Sequence, residues 1–151
     1  MKLPKDFGYY LQTGIIRKKN PDFQKAEFLL KSAESSFRGL VKRLNQMGIE
    51  DDTANSIIKD CYDILMELIR ARLLVEGYSS SGNFSHEAEI SYLKKLGFEE
   101  NKIRFMNELR FNRNSVIYYG KILSVEYAKK VIDFMKSNYV LLKKVIGDKK
   151  I

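Results

Sequence analysis

A chain of 151 residues is long enough for one domain with a real core, and with 44% hydrophobic and 30% charged residues it is too apolar for disorder. Two prolines and nine glycines leave little room for a many-stranded fold, and one cysteine, Cys61, excludes an internal disulfide. A formal net charge of +8 fits either an anionic partner such as RNA or a lysine-rich solvated surface.

In chain order, residues 1–20 read as an N-terminal segment with a short helix around Phe7 to Leu11. Asn20-Pro21 then supplies an N-cap and a first helical position. Ala26, Leu30, Ala33, Phe37, Leu40, Leu44 and Met47 recur at alternating steps of four and three. That is the seam of a helix over about 22–47, ended by Gly48. Glu50-Asp51-Asp52-Thr53 offers acids and a cap to a second long helix, about 53–76, which stops at Gly77. Its seam is Ala54, Ile58, Cys61, Leu65, Leu68, Arg72 and Val75. Ser79-Ser80-Ser81-Gly82-Asn83 reads as a loop, and Ser85 caps a short helix that runs to about Leu96 and breaks at Gly97. A third long helix, about 99–119, carries Ile103, Met106, Leu109, Arg113, Val116 and Gly120 along one side. The fourth, about 124–146, carries Ala128, Ile132, Met135, Tyr139, Leu142 and Ile146. No alternating segment is long enough for a strand. The predicted fold is all-α, an antiparallel four-helix up-and-down bundle with one or two short extra helices. Its divisions are the N-terminal segment 1–20, the bundle 21–147 and a basic tail 148–151.

Little of the usual enzymatic chemistry is present. One histidine and one cysteine cannot build an ordinary zinc site, and no glycine-rich phosphate loop occurs, so neither metal nor cofactor is expected. His86, just after Ser85, reads as a capping or surface residue, and Cys61 as a small core hydrophobe. Arg17-Lys18-Lys19, Lys143-Lys144 and Lys149-Lys150 sit at element ends or at the C-terminus, where cations suit helix dipoles. Glu99-Glu100, like Glu50-Asp51-Asp52, suits a helix N-terminus. The N-terminal Met1-Lys2-Leu3-Pro4-Lys5-Asp6 lacks a signal peptide's apolar run, and no window approaches the roughly 18 apolar residues of a membrane span. A cytoplasmic protein without membrane contact is the expectation.

Arg113-Asn114-Ser115-Val116-Ile117-Tyr118-Tyr119-Gly120 stands apart. A guanidinium stays charged, so an arginine on an apolar seam needs a paired partner or a functional cleft. Arg110, Asn114 and Tyr118 are spaced by four and line one helix face, with Asn107 and Lys121 extending the stripe. Arg113 lies on the neighbouring apolar face, about 140° from residue 118 at 3.6 residues per turn. The structural alternative is an arginine that snorkels, or that pairs with an acid on an adjacent helix.

Arg113-Asn114 followed by Tyr118-Tyr119-Gly120 resembles the signature of HEPN domains, the higher eukaryotes and prokaryotes nucleotide-binding family. Supporting marks are Tyr62, the segment Arg70-Ala71-Arg72-Leu73-Leu74-Val75-Glu76-Gly77-Tyr78, Ser85-His86-Glu87-Ala88, and Leu109-Arg110. The resemblance spans roughly residues 22–146 and points to the archaeal and prokaryotic branch found beside nucleotidyltransferases. It implies a small helical bundle that forms a homodimer, in which two Arg-x4-His motifs share one cleft. Active members are metal-independent ribonucleases whose arginine holds phosphate and whose histidine assists the 2′-hydroxyl. Arg113 and Asn114 match that pattern, and Tyr118 stands at the histidine position. A phenol, with an unperturbed pKa near 10, is a poor base near neutrality. The implied function is binding of RNA or a nucleotide by Arg110, Arg113, Asn114, Tyr118, Tyr119 and Lys121, with catalysis weakened or lost. Arg113 and Tyr118 are the catalytic candidates if activity survives. One alternative is a ribonuclease toxin silenced by a nucleotidyltransferase partner chain, and another is a protein-interaction module whose arginines are structural.

Overall fold

The computed structural model describes residues 3–147. Among them are six α-helices: α1 (Phe7–Gln12), α2 (Phe23–Met47), α3 (Asp51–Glu76), α4 (Ser85–Ser91), α5 (Glu100–Tyr119) and α6 (Val125–Gly147). The protein is predominantly helical, as its seams predict. The basic tail at 148–151 lies outside the described residues.

Three details depart from the sequence reading. Ile16–Lys18 (β1) and Tyr78–Ser80 (β2) form a two-stranded antiparallel ladder that pairs Ile16 with Ser80 and Lys18 with Tyr78. Three residues are too few to show an alternating pattern, so Ser79 and Ser80 of the serine-rich segment read as a loop are strand. The cap of α2 is Asp22 rather than Asn20, because its carboxylate accepts the Lys25 N–H at 3.0 Å. Asn20-Pro21 belongs instead to the crossing that follows the ladder. There Lys19 N–H donates to Gly77 O at 2.9 Å, and Asp22 N–H donates to Leu74 O at 3.0 Å. This approach dictates glycine at residue 77. Its φ is +83°, and a Cβ there would lie 2.6 Å from Lys19 O. The short helix predicted to reach Leu96 ends at Ser91 and continues as a 3-10 turn, Tyr92–Lys94.

The α3 helix is central. Its seam residues Ala54, Ile58, Cys61, Leu65 and Leu68 are buried, and so are Ile57, Tyr62, Ile64, Met66 and Ile69 on its other faces. A helix apolar nearly all round must be covered nearly all round. Its neighbours are α2 and α6, with α4 and α5 closing a further side. Burial pushes the Cys61 thiol up to about 12, which leaves it inert at neutral pH. Where α2 meets α6, Phe37 stacks on Tyr139 with centroids 3.9 Å apart and rings 6° from parallel. Lys143 reaches across to Glu34 at 2.8 Å. Phe105 of α5 stacks on Phe134 of α6 at 4.3 Å. Met47, at the end of the α2 seam, is exposed.

The seam arginine Arg72 has a structural task. Its Nη1 donates to Val145 O at 2.6 Å, satisfying a carbonyl in the last turn of α6, and its Nη2 pairs with Glu76 at 2.9 Å. Arg113 has no such terminus to hold.

Candidate functional site

The charged side chains of α3, α4 and α5 converge on Tyr62. Asp63 and Arg70 are seven residues apart on α3 and so lie on one face, beside the buried Tyr62. His86 and Glu89, three apart on α4, face them. Asn107, Arg110 and Arg113 step along α5 at intervals of three.

The three arginines are held to different degrees. Arg70 is fully engaged: Nε and Nη2 donate to the two carboxylate oxygens of Glu89 at 2.8 and 3.0 Å. The Ser80 hydroxyl donates to the same carboxylate at 2.9 Å, so Glu89 is satisfied although only 2% exposed. Arg110 donates from Nε to Asn107 Oδ1 at 3.0 Å, and its Nη2 lies 4.0 Å from Glu87. Arg113 is the least constrained. Its guanidinium sits 5.5 Å from the Tyr62 ring centroid, and Nη2 reaches Asp63 only at 3.5 Å. Its Nε is buried without a hydrogen-bond partner, a state that costs about 1–3 kcal/mol.

Desolvation burdens the Asp63 carboxylate, and the Arg113 charge offsets that only in part, so its pKa stays above the ordinary value. His86 Nδ1 and the Tyr62 hydroxyl lie 3.1 Å apart. Burial lowers the His86 pKa, and the Arg70 and Arg113 charges add to that against Glu89 and Asp63, so the imidazole is neutral at pH 7. Burial raises Tyr62, which keeps its proton.

His86 also lines a groove of about 650 Å³ between α2 and α3. Arg43 of α2 and Asp60 of α3, both on its wall, form an ion pair.

Comparison with protein-family models, with curated proteins and with solved structures found no match. Geometry alone therefore carries the reading of the site. No group of three or more His, Cys, Asp or Glu among the described residues is placed to hold a metal ion. No helix among them is long and apolar enough to cross a membrane.

The residues singled out in the sequence divide into two sets. Arg110 and Arg113 turn back towards α3 and α4, and Asn114 is half-buried beside them. Tyr118 and Tyr119, at 74% and 85% exposure, stand in solvent at the end of α5, and Lys121 is exposed just beyond. Asn55 of α3 fixes the backbone there, donating to Lys121 O at 3.3 Å and accepting the Leu123 N–H at 2.8 Å. His86, read from sequence as a cap or surface residue, is half-buried in the cluster. Asp63 and Glu89 were also missed. The available signal was the spacing of seven between Asp63 and Arg70, which places an acid and an arginine on a face of the second long helix that its apolar seam does not use.

Proposed function

We propose that this protein is a HEPN-like four-helix up-and-down bundle that dimerises and binds the phosphate of a nucleotide or RNA through a cleft centred on Arg113 and Asn114. The observation that carries this is the state of Arg113. It is mostly buried, with 22% of its side chain exposed, yet it has one orphan N–H and one long, weak tether to Asp63. Arg72 shares the orphan Nε, but its terminal nitrogens hold Val145 O and Glu76 at 2.6 and 2.9 Å. Arg70 holds both oxygens of Glu89, and Arg113 has no bond as short. A phosphate oxygen offers the short charge-assisted bonds that Asp63 does not, and guanidinium forms them in pairs. The exposed Tyr118 and Tyr119, with Phe111, Ile117 and Ile122 exposed nearby in sequence, suit a second protomer that would complete the cleft.

Catalysis is weakened in this reading because the motif position holds Tyr118. One observation favours the ribonuclease alternative: the only histidine, neutral at pH 7, lies in the Arg113 cluster. A nucleotidyltransferase partner chain belongs to that alternative.

Nucleotides and short RNA should each raise the melting temperature of the wild-type protein. Arg113→Lys should weaken their binding about tenfold or more while leaving the helical circular dichroism intact. Wild-type cleavage of RNA, abolished by His86→Asn, would shift the reading to a ribonuclease. No binding, together with an Arg113→Lys protein that is only less stable, would leave the interaction module.

A further inference from the structure

We infer that the ligand of the Arg113 cluster is a small monophosphate of nucleotide size whose body lies in the groove between α2 and α3, rather than a run of RNA. The inference rests on the anion-binding reading of Arg113 and adds the class of ligand to it. Arg70, Asp63 and His86 belong both to the cluster and to the groove wall, so the two spaces adjoin along that wall. At about 650 Å³ the groove falls in the range of small-ligand sites.

Its walls fit the body of a nucleotide. Gly39 lies in the interior of α2, where glycine disfavours the helix. A Cβ added there would meet nothing within 4 Å, so the packing of the fold does not demand glycine. What the residue does provide is bare backbone on the groove wall, a surface that a flat group can approach closely. Leu40 supplies apolar lining on the same helix, and Glu67 and Asp63 of α3 supply carboxylates. The Glu67 carboxylate accepts hydrogen bonds from ribose hydroxyls or exocyclic amines. With Asp60 paired to Arg43, Glu67 and Asp63 are the carboxylates that repel any further phosphate. An RNA strand brings one charge per nucleotide, and laid along this groove it would place them well within one Debye length, about 8–10 Å, of Asp63 and Glu67. One anionic group beside Arg70 and His86, carried on a donor-rich body, meets no such conflict.

The test is calorimetric titration of each of the four nucleoside monophosphates, of inorganic phosphate and of a decameric RNA. The proteins are the wild type, Gly39→Leu and Arg113→Lys. At least one monophosphate should bind the wild type more tightly than either phosphate or the RNA. Gly39→Leu should lower that affinity about tenfold, leave phosphate binding unchanged, and melt at the wild-type temperature or above. Ser36→Leu, on the same wall, provides a second blocking variant should Gly39→Leu fold poorly. Undiminished monophosphate affinity in a folded blocking variant overturns the inference, as does tighter binding of the RNA. In both cases a loss of affinity in Arg113→Lys would leave the anion-binding reading standing. If nothing binds the wild type, that reading falls as well.

Discussion

Replacement of Arg70 by alanine should destabilise the protein by about 3–5 kcal/mol, the usual cost of removing one partner from a buried ion pair. The loss comes from Glu89, not from the arginine. Glu89 is 2% exposed, and without Arg70 its carboxylate keeps only the Ser80 hydroxyl among the partners described above. The double variant Arg70→Ala/Glu89→Leu should recover much of that stability, since it removes the stranded charge together with its partner. Denaturant titration of the two proteins measures both quantities. A loss below about 1 kcal/mol for Arg70→Ala would mean that water reaches Glu89 freely.

Phe37→Ala should cost about 3 kcal/mol, at the low end for a core aromatic. The ring lies flat on Tyr139, with centroids 3.9 Å apart, so the change removes apolar burial and a stacked pair at the contact of α2 with α6. Phe37 is only half-buried, however, and the full cost of a sealed cavity is not expected. A loss under about 1 kcal/mol in equilibrium unfolding would show that the α2 seam contributes little to holding α6.

The long helices were legible because each carries a four-three seam bounded by caps or glycines. The observed limits of α2, α3, α5 and α6 fall within about two residues of those read from periodicity. The ladder was illegible, because pairing Ile16 with Ser80 is a long-range event between two three-residue segments. The depth of α3 was read incompletely. One seam accounts for Ile58 and Leu65, but the burial of Ile57, Ile64 and Ile69 depends on helices arriving from other parts of the chain. The candidate site was half legible for the same reason. Arg113 declared itself as a charge on an apolar seam. Its partner Asp63 and the neighbouring His86 came from α3 and α4, at distances that no local pattern encodes. The two seam arginines, alike in sequence, differ because Arg72 finds the carbonyl of Val145 at 2.6 Å, whereas Arg113 finds the Tyr62 ring and a long tether to Asp63 at 3.5 Å.

That contrast makes Asp63→Asn the most direct measurement of whether Arg113 is a ligand-binding arginine. The folded state raises the Asp63 pKa, so it binds protons more readily than the unfolded chain does. The stability this group contributes is present below its unfolded pKa and is lost as pH rises through the raised value. At neutral pH the ionised carboxylate is therefore a burden, and neutral Asn should leave stability unchanged or higher. A phosphate that competes with Asp63 for Arg113 should also bind more tightly once the carboxylate is gone, by about tenfold. Nucleoside monophosphate affinity and unfolding free energy, measured on wild type and Asp63→Asn at pH 7, decide the matter. Tighter binding with undiminished stability is the expected result. A stability loss above about 2 kcal/mol with no gain in affinity would make Arg113–Asp63 a structural ion pair and contradict the anion-binding site.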